Sequence, residues 1–205
     1  HINAPSNILL MKRADDENVK LTLEILNMLI SVSYLLSKIL FIRIILAMIE
    51  LSLKHGMMRL TPFAFATYGI LEVSLFRRYN RAFALGKASL EAAKRSGDWE
   101  VLAKVNFTVG FFLSHWVCHL RESIDYHLEG KEQSRLSGNM VYFAYNCAAL
   151  MLAKVALSDN LQDIFDASQL DLMHPDIQTD KDVSNLLVAV REYAADRKST
   201  RLNSS

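Results

Sequence analysis

The amino-acid sequence predicts an all-α fold in which antiparallel helical hairpins stack as a short α-solenoid. Apolar residues make up 51% of the 205 residues, whereas Gly and Pro number only 7 and 3, so there are too few turn formers to separate many short strands. Glycines that can end a helix also recur at a constant interval, because Gly56, Gly97 and Gly138 follow one another in steps of 41 residues. One further step reaches Thr179, just before Asp180. This spacing indicates a repeat of about 41 residues.

At each mark the sequence predicts that one helix ends and another begins. Basic residues precede each glycine, as in Lys54-His55-Gly56, and cations suit the negative end of a helix. Glycine accepts the left-handed conformation that commonly follows a last helical turn. Residues with oxygen side chains that can cap the next helix then follow, namely Thr61 before Pro62, Asp98, Asn139 and the pair Thr179-Asp180.

Each repeat has room for two helices between these marks. The predicted helices span residues 16–35, 38–55, 62–78, 80–96, 99–114, 119–136, 140–157, 160–171 and 180–196. A paired-helix unit of about 41 residues is longer than the 34 of a strict tetratricopeptide repeat and nearer the 40 to 47 of the HEAT and armadillo repeats. We therefore expect a tetratricopeptide-like or HEAT-like array of hairpins.

The apolar pattern predicts that several helices contact neighbours on two sides. In the helix at 62–78 one stripe includes Leu60, Tyr68 and Leu71, and a second includes Phe63 and Ile70. The helix at 80–96 has a single apolar face, so we expect its other face to contact solvent. Three glycines fall inside predicted helices, where we expect close approach of another helix: Gly69, Gly86 and Gly110.

The sequence predicts one repeat domain with two flanking segments. Residues 1–14 are expected to form an N-terminal extension at the edge of a fragment, and residues 15–196 the helical repeat domain. Residues 197–205 are polar, lack helical periodicity and resemble a translated sequencing adapter. We expect them to be a disordered tail that is not native.

Composition argues against several kinds of partner and compartment. The formal charge of +1, from 23 basic and 22 acidic side chains spread along the chain, offers no basic face for nucleic acid. Cys118 and Cys147 lie within apolar helical patterns rather than in a spaced framework, which suits reduced thiols in the cytoplasm. The apolar region from Ile25 to Ile49 is interrupted by Lys38 and Arg43, so we expect buried helices and no membrane span.

The stretch from Leu9 to Asn160 resembles a known family in a set of packing and capping residues. These are Leu51 to Gly56, Phe63 through Tyr68-Gly69, Ala82 with Leu85 to Ala88, Ala103-Lys104-Val105, His115-Trp116 and Leu136 to Asn139. The chain is similar there to the helical, tetratricopeptide-like repeat region of multidomain signalling ATPases that carry serine/threonine kinase and sensor histidine kinase domains. The resemblance implies a connector or sensor whose chemistry lies elsewhere in the parent protein.

Two departures from that family's pattern stand near the first repeat mark. The family has a small polar turn with Pro after the glycine matching Gly56, whereas this chain has Met57-Met58-Arg59. A Gly or Pro break would also be usual between the first two helices, where this chain has Leu36-Ser37-Lys38. The matched residues pack and cap helices, so they identify architecture better than activity. No functional residue is carried over from the family.

Catalytic interpretations find little support in the sequence. No closely spaced glycines followed by Lys and Ser or Thr form a phosphate-binding loop. The segment from His55 to Pro62 differs from a histidine-kinase phospho-acceptor box in spacing, and its intervening residues include no acidic one. Paired carboxylates such as Asp15 with Asp16 fit helix starts and solvent-facing positions. We expect no catalytic residue, no cofactor and no enzyme activity in this segment.

One cluster carries a metal hypothesis beside its structural alternative. His115, Cys118 and His119 are spaced by three and four positions, so on one helical face two imidazoles and a thiolate could hold zinc, with His127 or Cys147 as a fourth ligand. In the alternative, His115 and Trp116 close a helix against its neighbour and Cys118 is a small buried hydrophobe. The second interpretation is preferred, so no metal ligand is predicted.

The function predicted from these observations is protein contact. The main hypothesis is a regulatory repeat segment that binds a protein or relays a state change between the flanking domains of a signalling ATPase or kinase. The alternative is a freestanding adaptor, or the ligand-sensing helical domain of a transcription activator. End repeats without caps would expose apolar residues, Leu21, Ile25 and Met28 at one end or Leu186, Leu187 and Val190 at the other, so self-association is expected.

Overall fold

The computed structural model describes residues 5–179 and 181–202. Within those ranges the chain is helical and contains no β-strand, and an isolated backbone bridge joins Arg13 to Met57. The α-helices are α1 Glu17–Leu36, α2 Lys38–His55, α3 Thr61–Ser74, α4 Tyr79–Ser96, α5 Trp99–Thr108, α6 Glu122–Ser137, α7 Met140–Ala156, α8 Leu161–Leu172, α9 Pro175–Thr179 and α10 Lys181–Leu202. The predicted all-α class is confirmed.

The predicted helix ends at the glycine marks are confirmed. Gly97 and Gly138 follow α4 and α6 with φ values of 69° and 73°, the left-handed conformation that glycine adopts without steric cost. Side-chain oxygens then cap α5 and α7: Asp98 Oδ1 accepts from the Val101 amide at 3.0 Å, and Asn139 Oδ1 from the Tyr142 amide at 3.2 Å. The predicted cap at Thr61 is wrong, because Thr61 is the first residue of α3 and its hydroxyl accepts from the Met58 amide instead. Asp180 lies outside the described residues.

Several predicted boundaries are corrected. The helix expected at 99–114 is α-helical only to Thr108 and continues as a π-helix Val109–Leu113 and a 3-10 helix Ser114–Trp116, so α6 begins at Glu122 rather than at residue 119. The helix expected at 62–78 ends at Ser74, since the chain turns at Arg77 with φ 53°. α10 runs to Leu202, beyond the expected end at residue 196, and residues 203–205 lie outside the described ranges.

Helices adjacent in sequence pack against each other, α1 on α2, α3 on α4, α5 on α6 and α6 on α7. In addition, α10 packs on α8, and α5 contacts α3 and α7. Residues expected as an N-terminal extension contribute too, because the 3-10 helix Pro5–Leu10 packs on α4 and buries Ile8. The predicted close approach at the internal glycines occurs: a Cβ on Gly86 would lie 2.9 Å from Leu113 and Val109. The helix at α4 presents Lys87 and Glu91 to solvent, as expected.

Arg59 ties successive hairpins together. Its guanidinium donates to Asp98 at 2.7 Å, to Glu100 at 2.5 Å and to Glu24 at 2.9 Å. Glu100 in turn accepts from Asn139 at 3.3 Å. Arg59, one of the residues that replace the polar turn discussed above, therefore links α1 to the start of α5. Through Glu100 it also links them to the start of α7.

The two ends of the described chain differ in exposure. Leu21, Ile25 and Met28 of α1 are exposed, as expected. Leu187 and Val190 of α10 are buried, because α10 packs against α8 and α7. The prediction of an exposed apolar end there is wrong.

Candidate aromatic groove

Side chains of α1 face residues of α3, α5 and α7 across a groove that is lined by aromatic rings. Near its middle the Phe107 ring centroid lies 5.7 Å from that of Tyr142, 5.5 Å from Tyr145 and 5.9 Å from Phe112. Tyr34 of α1 closes the groove at 5.8 Å from Phe112. We call this surface the aromatic groove; its rings are Tyr34, Phe41, Phe63, Phe107, Phe111, Phe112, Tyr142 and Tyr145.

The aromatic groove contains a half-open cleft of about 320 Å³, which continues into a second half-open cleft of about 1000 Å³ toward His115 and Trp116. α1 contributes Ile30, Ser31, Tyr34 and Leu35 to the walls of the smaller cleft. Among the described residues that line it, Asp182 is the one side chain that is charged at neutral pH. The surface is therefore suited to apolar contact rather than to acid-base chemistry.

A buried cation, Lys104, packs against two rings of the aromatic groove without lining the cleft. Lys104 donates to Glu100 at 2.7 Å and to Asn27 of α1 at 3.3 Å, and its ammonium lies 5.8 Å from the Phe63 ring and 5.7 Å from the Tyr142 ring. These contacts offset the cost of burying the charge. Burial raises the pKa of the Tyr142 hydroxyl well above its usual range, so the ring stays neutral.

The π-helix Val109–Leu113 contributes Phe111 and Phe112 to this surface, and Phe107 lies just before it in α5. Phe107 and Phe111, four residues apart, stack with their ring centroids 5.5 Å from each other. Leu113 turns inward and is fully buried. Sequence reasoning missed this groove, although Phe107, Phe111 and Phe112 at spacings of four and one were the signal that could have pointed to it.

The residues of the zinc hypothesis do not come together. His115 belongs to the 3-10 helix and packs its ring 5.0 Å from that of Trp116, and burial lowers its pKa. His119 lies in the following turn and accepts from the Arg121 amide at 3.2 Å, so no shared helical face exists. Within the described ranges no three His, Cys, Asp or Glu side chains are placed to hold a metal ion. The candidate fourth ligands, His127 and Cys147, are buried elsewhere.

A buried polar layer between α5, α6 and α7 was also missed. Asn106 donates to Gln133 at 2.7 Å, and the His127 Nδ1 donates to Asn146 Oδ1 at 3.2 Å. Asn146 then donates to the Tyr142 carbonyl at 2.8 Å. Burial lowers the pKa of His127 to about 4, so the imidazole is neutral at pH 7 and needs only this hydrogen bond.

Gly130 leaves room for the Asn146 amide of the polar layer, so we expect a side chain at this position to destabilise the fold. A Cβ at this position would lie 2.5 Å from Asn146 Oδ1, whose amide is held on both sides. We expect Gly130→Ala to lower the free energy of unfolding by about 1–3 kcal/mol, because the overlap outweighs the helix propensity of alanine. Chemical denaturation measures the change. Glu132→Ala, an exposed change on the same helix, is the control; an equal effect of both would contradict the prediction.

Comparison with known proteins identifies no relative. No family model, no curated protein and no solved structure matches the chain. The resemblance to signalling ATPases therefore stays a prediction from the residues named above. Among the helices that the structure describes, α1 is long and apolar enough by length and composition to cross a membrane. In its apolar stretch 22% of the residues are buried.

Proposed function

We propose that the chain is a non-catalytic helical repeat segment, stacked as a short solenoid, that binds protein through the aromatic groove. The observation that carries the proposal is the row of aromatic rings with a single charged wall residue, Asp182. Such a surface favours burial of apolar and aromatic side chains over recognition of a charged metabolite. Support for the stacked arrangement comes from the contacts of α5 with both α3 and α7, two helices away on either side.

The occupant that fits is an amphipathic helix or strand-like peptide with spaced apolar anchors. α1 itself makes contacts of this kind, because its inner face places Ile30 and Tyr34 against the rings and Asn27 against Lys104. A partner with apolar residues three and four positions apart would make the same kind of contact. In a signalling ATPase or kinase, occupation of the groove would bias the stack and relay a state change to flanking domains, with the chemistry elsewhere in the parent.

The test is selection of peptides by the chain from a random display library, followed by binding measurements. We expect selected peptides to carry aromatic or aliphatic anchors at helical spacing. Phe111→Ala removes an exposed ring of the groove and should raise the Kd by about tenfold to a hundredfold. Leu128→Ala removes a side chain of α6 that is 48% exposed and lies outside the groove, so it should leave the Kd unchanged. Equal Kd values for the two variants would contradict the proposal.

A second candidate, ligand sensing in an adaptor or transcription activator, is favoured by the volume of the cleft in the groove. A cleft of about 320 Å³ between α1 and the aromatic rings has the size of a small-ligand pocket. This function predicts that a small apolar compound binds there and that peptides do not. Gene context separates the two as well: a neighbouring nucleotide-binding loop supports the relay, and a neighbouring helix-turn-helix supports the sensor.

A further inference from the structure

The aromatic groove continues beyond the cleft of about 320 Å³, because six of the residues that line this cleft also line the cleft of about 1000 Å³. We call the smaller space the inner cleft and the larger one the outer cleft. The residues that line both are Tyr34, Leu35, Phe41, Ile70, Phe111 and Phe112. A ligand that lies along these shared walls would therefore contact both clefts at once.

The outer cleft differs from the inner cleft in charge. Lys38, the first residue of α2, and Arg77, in the connection between α3 and α4, both line it and are exposed. Neither side chain makes an ion pair or a hydrogen bond within the part of the chain that the structure describes. Among the described residues that line the outer cleft, none is Asp or Glu. The outer cleft therefore carries two positive charges that no described carboxylate compensates.

Local structure does not explain either cation. Lys38 lies in the first turn of α2, where the partial positive charge of the helix end disfavours a cation, and that turn contains no acidic residue. Arg77 has a φ value of 53°, a left-handed conformation that is unfavourable for a residue with a Cβ atom. Because neither side chain stabilises its own segment, we infer that their charges serve a contact outside the chain.

Three hydroxyl groups on the walls of the clefts use their donors within the chain. The Thr67 hydroxyl donates to the Ala64 carbonyl at 2.9 Å. The Thr108 hydroxyl donates to the Lys104 carbonyl at 2.8 Å, and the Ser74 hydroxyl also donates to a carbonyl of its own helix. These walls therefore recognise the body of a ligand by apolar contact, and the two cations select its charge.

The shape of the two clefts favours a peptide over a single small anion. Both clefts are half-open, whereas a small-ligand pocket covers most of the surface of its ligand. At about 320 Å³ and about 1000 Å³ they also exceed together the usual upper volume of such a pocket, about 1,000 Å³. An amphipathic peptide can extend along the shared walls and present charged residues at one end.

We propose that the peptide bound in the aromatic groove carries acidic residues at one end of its apolar face, and that these carboxylates lie over the outer cleft against Lys38 and Arg77. The proposal rests on the function proposed above, since it names the charge and the direction of the same peptide. Asp182 lines the inner cleft and not the outer one, so the reverse direction would bring the carboxylates toward an acidic side chain. The charge pattern therefore selects one direction of binding.

Peptides that the full chain selects from the random display library test the proposal. We expect Asp and Glu to be enriched at one end of the apolar anchors. Replacing these residues by Asn and Gln in one selected peptide should raise its Kd for the wild-type chain about threefold to tenfold. The combined variant Lys38→Gln, Arg77→Gln should bind the acidic and the amide peptide with equal Kd, because the charges that distinguish them are absent. The difference in the wild type should shrink as the salt concentration rises.

Two further variants serve as controls. The combination Arg43→Gln, Lys54→Gln removes the same net charge from exposed positions of α2 that line neither cleft, so both Kd values should stay as in the wild type. Lys38→Gln with Arg77→Gly covers the case in which the first variant loses its helical circular dichroism, because glycine adopts a φ of 53° without steric cost.

Three results would overturn the proposal. The first is peptide binding that Phe111→Ala weakens and Lys38→Gln, Arg77→Gln leaves unchanged, which would keep the groove proposal and remove the cations from it. The second is an equal loss in the control Arg43→Gln, Lys54→Gln, which would assign the effect to net charge. The third is a chain that selects no peptide but binds decanoate with the help of both cations, which would assign the clefts to a lipid anion. Selected peptides that are insensitive to Phe111→Ala as well would contradict the groove proposal together with this one.

Discussion

We expect Arg81→Met to lower the free energy of unfolding by about 3 kcal/mol, because it leaves a buried carboxylate poorly compensated. The Glu72 side chain at the end of α3 is 1% exposed, and the Arg81 Nε donates to it at 3.1 Å. Arg78 lies farther off, at 3.6 Å, and its own side chain is 59% exposed, so it cannot replace the lost partner fully. Urea denaturation followed by circular dichroism measures the difference.

Two further variants separate the buried charge from loss of side-chain packing. Arg95→Met on the same helix breaks an exposed pair with Glu91 and should cost less than about 0.5 kcal/mol. Combining Arg81→Met with Glu72→Leu removes both charges, and most of the lost stability should return. A double variant as unstable as Arg81→Met alone would show that the ion pair is not the cause.

We expect the chain to lose about 3 kcal/mol of stability between pH 6.5 and pH 4 through His127 alone. Burial, only partly offset by the hydrogen bond to Asn146, lowers the pKa of this imidazole to about 4 in the folded chain, against 6.5 for an exposed histidine. Above pH 6.5 both states are neutral and the residue contributes nothing. Below it the unfolded chain binds a proton that the folded chain rejects, so each pH unit costs about 1.4 kcal/mol until the folded pKa is reached.

Denaturation curves recorded across this pH range check the prediction against a variant. His127→Gln keeps a donor for Asn146 but cannot titrate, so its stability should fall less steeply than that of the wild type as the pH decreases. His119→Gln is the matched control for loss of an imidazole at an exposed position. Parallel slopes for the wild type and His127→Gln would rule out the buried imidazole as the acid-sensitive group.

The local signals of the sequence predicted the all-α class and several helix ends. Asp98, Asn139 and the glycines at residues 97 and 138 act through bonds within a few residues of the chain, so their effect could be inferred without knowing the tertiary structure. The same holds for the exposed face of α4 and for the exposed end of α1. Each of these features depends on the spacing of residue types along one helix.

The candidate site depended on contacts that the sequence does not encode locally. The π-helix Val109–Leu113 contacts α3, α4, α5 and α6, which are distant in sequence from one another. The groove needs side chains of α1 to face α3, α5 and α7, and the contact of Asn27 with Lys104 joins residues far apart in sequence. The periodicity of apolar residues does not predict such a contact, because many partner helices are compatible with the same amphipathic pattern.

By itself the sequence predicted that this chain is helical, that helices end at Gly56, Gly97 and Gly138, and that Leu21, Ile25 and Met28 are exposed. Helix caps, turn glycines and apolar spacing act over one or two helical turns, so they can be read from the linear sequence. Only the tertiary structure decided which aromatic rings face a common groove, which polar groups are buried, and that α10 packs its apolar face on α7 and α8. Those outcomes follow from how distant helices share a core, since close packing selects one arrangement among many that the local pattern permits.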